Sequence, residues 1–343
     1  MCANEFTARC YPVWFATNRA PRVATDLSQG FGDVTDDSIH YGRVVVPLSN
    51  VPVSLAPVTH LWGRLTESGP GIPLEPGGAQ TDALGWAHDL RHVVSGFDPK
   101  ERDIVVYIHG FGVSFDDAAE QAAQLGSRLR VPGVMAMFSW PSHGRQGPLN
   151  YLSDLTAVEN SEEELADFLA RLGRLAGPGR VHVIAHSLGV YGFLRALHAA
   201  TAQAQIIEPK MHFGQIILAA PDIDERLFRR LVRVAPALSE KTTLYVADED
   251  LAVRASERSH GDRRAGLLPT SPLVGAIDTI EVLGRASRVQ VGHSYFRDDP
   301  SVLKDIQTLI YFGESPAERQ QRNGFPLTGQ PPRRASWVIR NEH

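Results

Sequence analysis

Between residues 103 and 283, short and almost wholly apolar runs alternate with longer stretches of helical period. IVVYIH (104–109), VMAMFSW (134–140), VHVIA (181–185), QIILAA (215–220), TTLYVA (242–247) and DTIEVL (278–283) read as strands. Strands without an in–out alternation are those buried on both faces. Residues 116–129 and 157–175 read as amphipathic helices, the second with Leu165, Phe168, Leu169 and Leu172 on one stripe. Another helical pattern starts at Leu188, and a basic one spans 226–234, its arginines reading as a solvated face. This alternation predicts an α/β domain with a mostly parallel central sheet and helices on both faces.

The flanks differ from this texture. Residues 1–100 hold β-like runs at 11–16 and 42–47, followed by the breaker-rich ESGPGIPLEPGG (67–78). They predict an N-terminal accessory β/loop region packed on a core domain of residues 101–315. Residues 316–343 are rich in Arg, Gln and Pro and lack a period, which predicts a mobile or surface-draped tail. Within it, Trp337, Val338 and Ile339 leave room for docking.

Composition narrows the function classes. In 343 residues, 43% are hydrophobic and 21% charged, enough apolar material for a large core. The formal net charge of −5 gives no basic field to hold nucleic acid. The only cysteines, Cys2 and Cys10, have no metal-ligand spacing and read as incidental thiols. No apolar run is long enough for a transmembrane helix, and no secretory leader is visible, so a cytoplasmic location is expected. Neither a G-x-x-x-x-G-K-[ST] loop nor H-E-x-x-H occurs, so no cofactor or metal is expected.

The candidate chemistry centres on Ser187 in A-H-S-L-G (185–189), between a predicted strand and a predicted helix. Small residues two before and two after a serine permit a sharp strand-to-helix turn that presents its hydroxyl. A serine at a helix N-cap is the bland alternative. The next N–H, of Leu188, faces developing negative charge there. A second strand ends in HGFGVSF (109–115), where Phe111 N–H is the other candidate donor and His109 reads as a buttress of the loop. Acids follow two strands, Asp222 and Asp224 in PDID and Asp248 and Asp250 in ADED. His293 follows the last strand in VGHSYF. The order Ser, Asp, His suits a nucleophile, an orienting acid and a general base. SWPSHGRQGPLNYL (139–152) leaves a strand at its carboxyl end, so Trp140 and Tyr151 are candidate walls of a substrate pocket.

The stretches YIHGFGVSFDDAA, FSWPS, IAHSLG, ILAAPDID, TLYVADEDLAV and GHSYF resemble a bacterial family of α/β hydrolases of unknown function within the esterase/lipase superfamily. Weaker echoes are WFATNRAP and YGRVVVP. Gly112 departs from the pattern, standing where asparagine is frequent. The resemblance implies an α/β-hydrolase fold and selects Asp250 as the acid of a Ser187–Asp250–His293 triad. The expected activity is hydrolysis of a small-molecule or lipid ester through an acyl-enzyme. Thioesterase, amidase and acyltransferase chemistry would use the same groups, and a hydrolase-shaped binding module without catalysis is the other class.

Overall fold

The strands of the central sheet are apolar on both faces because each face is covered, and the computed structural model shows what covers them. It describes residues 10–48, 74–80, 82–145, 147–177, 180–204, 211–248, 250–268, 277–283, 293–323 and 336–340. Among the described residues ten strands form one sheet. They are β1 (Cys10–Pro21), β2 (Phe31–Pro47), β3 (Leu74–Gln80), β4 (Asp103–Ile108), β5 (Gly133–Ser139), β6 (Val181–His186), β7 (Phe213–Ala219), β8 (Ser239–Ala247), β9 (Ile277–Leu283) and β10 (Ser336–Arg340). Their order is β10-β9-β8-β7-β6-β4-β5-β1-β2-β3. All pairings from β1 to β10 are parallel. Only β2 runs against its neighbours.

Alternation within each strand sends side chains into two cores. On one face Ile104, Val106 and Val183 pack with Phe168, Leu172, Leu194 and Leu197. On the other, Val105, Tyr107 and Ile184 pack with Ala118, Ala122, Val302 and Ile306. The carboxyl ends of β4, β6, β7 and β8 converge at one edge of this layer, where the candidate residues lie.

Three expectations need correction. The helix expected over 157–175 is two, Pro148–Glu159 and Glu162–Ala176. The break at Asn160–Ser161 lets Ser161 Oγ bond back to Ala157 O and accept from Asn18 Nδ2 of β1. The N-terminal accessory strands extend the core's sheet, β1 pairing in parallel with β5. The region after Pro316 is not merely draped. It supplies the helix Pro316–Asn323 and the edge strand β10, with Ile339 fully buried. The helix has too short an apolar pattern to be read locally, because its anchor is polar. Arg319, fully buried, pairs with Asp305 at 2.8 and 3.2 Å, and Tyr245 Oη donates to the same carboxylate at 2.7 Å. Finally, Cys10 is disulfide-bonded, not an incidental thiol. Cys2 and most of the 67–78 stretch lie outside the described residues.

Candidate active site

β6 is buried along its whole length and stops at His186. Ser187 follows with φ +55°, in the left-handed region that non-glycine residues rarely enter, and the helix Leu188–Ala204 begins at once. Ser187 N–H donates to Ala219 O at 3.0 Å, fastening the turn to the end of β7. A Cβ at Gly189 would stand 2.2 Å from His109 O, so glycine alone lets this helix start cross the end of β4. The small residue at 185 is fully buried in the sheet.

A continuous hydrogen-bonded chain runs from this serine. His293 Nε2 lies 2.7 Å from Ser187 Oγ, and His293 Nδ1 lies 2.8 Å from Asp250 Oδ2. Asp250 is fully buried, and its other oxygen accepts from Ala252 and Val253 N–H at 3.1 and 3.0 Å as the N-cap of the helix Leu251–His260. One carboxylate thus starts a helix and fixes an imidazole. Burial disfavours the imidazolium of His293. The hydrogen bond and charge of Asp250, with a further contribution from Asp222, outweigh it and raise its pKa above the ordinary value. Behind it, His186 Nε2 donates to His293 O at 3.0 Å, and the two rings lie 4.5 Å apart. Burial, then the neighbouring His293, push the His186 pKa well down, so it stays neutral.

The other acids take different work. Asp222 accepts from Ser256 Oγ at 2.7 Å and lies 3.4 Å from Arg264. Asp224 caps the helix Glu225–Leu231. Asp248 O accepts from Arg254.

The loop after β4 faces Ser187. His109 is buried, and burial followed by the charge of Arg19 lowers its pKa to about 3. Its Nδ1 donates to Gly110 O at 2.9 Å, a buttress and not a base. Gly112 has φ +67°, a conformation free to glycine and tolerated by asparagine. Among the described residues no protein acceptor faces the N–H of Phe111 or Leu188. Trp140 corrects the expected pocket. It is fully buried, stacks on His109 at 4.8 Å and donates Nε1–H to His109 O at 2.9 Å. A buried indole needs an acceptor, and the loop carbonyl supplies one.

The serine opens into a cavity of about 410 Å³. Tyr151, Phe111, Leu152, Ala252 and Ala255 give it apolar walls, with Asp222, Ser256, Ser259, His260 and His293 adding polar ones. Tyr151, a candidate pocket wall, lines this cavity. It packs edge-on against Phe111, with ring centroids 5.2 Å apart. Among the described residues no group of three His, Cys, Asp or Glu could hold a metal ion, and no described helix is long and apolar enough to cross a membrane. Sequence reasoning missed Arg19, Ser142, Asp154 and the cavity face of the helix Leu251–His260. For Arg19 a signal existed, since an arginine inside the apolar run WFATNRAP must find buried partners.

Residues 88–311 match the family model described as "Alpha/beta hydrolase of unknown function (DUF900)". No curated protein matches the chain. Among solved structures, the chain is similar to a predicted CIB-like hydrolase from Thermoplasma acidophilum, with 14% identity and a TM-score of 0.35. That match covers 62% of this chain and 88% of the other. It is also similar to a hyperthermophilic esterase from the archaeon Pyrobaculum calidifontis, with 12% identity and a TM-score of 0.37, covering 90% of this chain and 85% of that one.

Proposed function

Because the chain belongs to the α/β-hydrolase family of unknown function DUF900, we propose that it is a serine hydrolase cleaving a carboxylic ester of a small molecule or lipid. The observation that carries this reading is the unbroken Ser187–His293–Asp250 hydrogen-bond chain opening into the cavity. His293 Nε2 takes the hydroxyl proton as Ser187 Oγ attacks the ester carbonyl. The Phe111 and Leu188 N–H groups receive the developing oxyanion. His293 then returns the proton to the departing alkoxide, leaving an acyl-Ser187. Water, deprotonated by the same imidazole, hydrolyses that intermediate and restores the serine. Asp250 holds the imidazole in one tautomer and stabilises the imidazolium at each transfer. The mostly apolar walls suit an apolar acyl or alcohol group.

A fluorophosphonate probe tests the reading. Wild type should be labelled and Ser187→Ala should not, while losing hydrolysis of a short activated ester by on the order of 10⁶-fold in kcat. Labelling that persists in Ser187→Ala moves the nucleophile elsewhere. A panel of esters, thioesters and amides on the same protein separates the acyl-transfer classes.

A further inference from the structure

An oxyanion site works only if its N–H groups are already aimed before charge develops. The loop that carries Phe111 has glycine on both sides of it, so its own backbone does not hold that aim. Two buried charges supply the restraint. Asp154 is fully buried and its Oδ2 accepts from Gly112 N–H at 3.0 Å. The same oxygen accepts from Ser142 Oγ at 2.5 Å, while Oδ1 takes the His143 N–H and ring Nδ1 at 2.9 and 2.8 Å. Ser142 Oγ in turn accepts Val113 N–H at 3.0 Å. From the opposite side comes Arg19, at the end of β1 and fully buried.

The guanidinium of Arg19 is used completely. Its Nε donates to Ser139 Oγ at 2.9 Å, and NH1 donates to Gly32 O and Ser142 O at 2.9 and 2.8 Å. NH2 donates to Val113 O at 2.8 Å and faces His109 Nε2 at 3.5 Å. Five N–H groups thus meet five acceptors. Lysine, with three donors and no fork, cannot reproduce this. Three of the five partners, Val113, Ser142 and His109, belong to the loop or brace it directly. Gly32 and Ser139 anchor the cation to β2 and β5. Every backbone group of the loop that these charges grip lies within two residues of Phe111.

We propose that Arg19, Ser142 and Asp154 form a positioning clamp that preorganises the Phe111 N–H for the transition state. This rests on the serine-hydrolase reading. None of the three lines the cavity, and Arg19 lies outside the segment matched by the family model, residues 88–311. The N-terminal hairpin is then part of the catalytic apparatus, not an accessory to it.

The test compares full-length wild type with Arg19→Lys and Ser142→Ala. The measurements are kcat and KM on an activated ester, and the inhibition constant of a trifluoromethyl ketone, which adds to the serine and places its oxyanion in the hole. Circular dichroism and thermal melting check folding. Arg19→Lys should lower kcat on the order of 10²-fold with KM nearly unchanged, and Ser142→Ala should do the same to a smaller degree. The ketone should weaken in proportion to kcat/KM in both. Folded variants with wild-type kcat, or with reduced kcat and unchanged ketone affinity, overturn the clamp. If Arg19→Lys does not fold, Ser142→Ala decides. If neither folds, the cluster serves folding and the proposal is overturned. Wild type that neither hydrolyses esters nor takes a fluorophosphonate sinks the serine-hydrolase reading itself, whereas active wild type with unaffected variants sinks the clamp alone.

Discussion

The two halves of the site are built in opposite ways. The half proposed to handle protons is three side chains in a line, with one hydrogen bond between neighbours and a carboxylate at its end that also caps a helix. The half proposed for the oxyanion offers two backbone N–H groups, and the groups that hold the Phe111 loop are drawn from β1, from the chain after β5 and from the helix Pro148–Glu159. A side-chain function can be lost by one substitution at one position. A backbone function can be damaged only through its supports, so its losses are graded and spread over residues that touch no substrate.

Replacing Asp250 by asparagine breaks the first half most sharply. Oδ1 can still cap the helix Leu251–His260, but an amide at Oδ2 would donate to His293 Nδ1 and force the wrong tautomer. A kcat loss on the order of 10⁴-fold with little change in KM is expected from steady-state kinetics. Asp222→Asn should cost far less, since Asp222 serves Ser256 and Arg264. The reverse ranking would reassign the acid.

A control away from both halves sharpens the contrast. Arg319→Leu leaves the Asp305 carboxylate buried without its cation. It should lower stability by about 3–5 kcal/mol in urea titration while leaving kcat of the folded fraction unchanged. A changed kcat would mean that the C-terminal helix reaches the site. Ionisation separates the halves next. Only neutral His293 accepts the serine proton, so kcat/KM should fall about tenfold per pH unit on the acid side. The inflection should stand above the ~6.5 of a free imidazole, because Asp250 favours the imidazolium. The folded pKa being raised, protonated His293 contributes stability that is complete below the unfolded value and is lost as pH rises through the folded one. Variants of the oxyanion half should keep the same inflection, and a clamp variant that shifts it would show the halves to be coupled. The smallest effect is expected at Trp140. Trp140→Phe keeps a ring on His109 but removes the bond to His109 O, costing about 1 kcal/mol in thermal unfolding and less than about tenfold in kcat.

The same contrast runs through what could be read in advance. The wholly apolar runs of β4 to β8 announced a doubly covered parallel sheet because both faces of each strand are buried. Ser187 was legible because its turn demands small neighbours at fixed offsets, a local constraint. Trp140 misled for a local reason too, since an aromatic at a strand end suits a pocket wall as well as a loop brace. Asp250 and Asp248 have similar sequence surroundings; the residues themselves left both open, the family resemblance pointed to Asp250, and its carboxylate stands 2.8 Å from His293 Nδ1.

By itself, then, the order of residues determined the alternation and the sharp strand-to-helix turn at Ser187, both of which depend on neighbours within a few positions, and the chain order of Ser187, Asp250 and His293. Tertiary structure alone decided that β1 carries an arginine behind the oxyanion loop and that Asp154 grips Gly112 from 42 residues away. It also decided that a periodless tail supplies an edge strand to the sheet and a helix held by a buried ion pair. The reason is the same in each case. A buried charge is tolerated only where its hydrogen-bond partners converge, and those partners come from segments that folding, not sequence proximity, brings together.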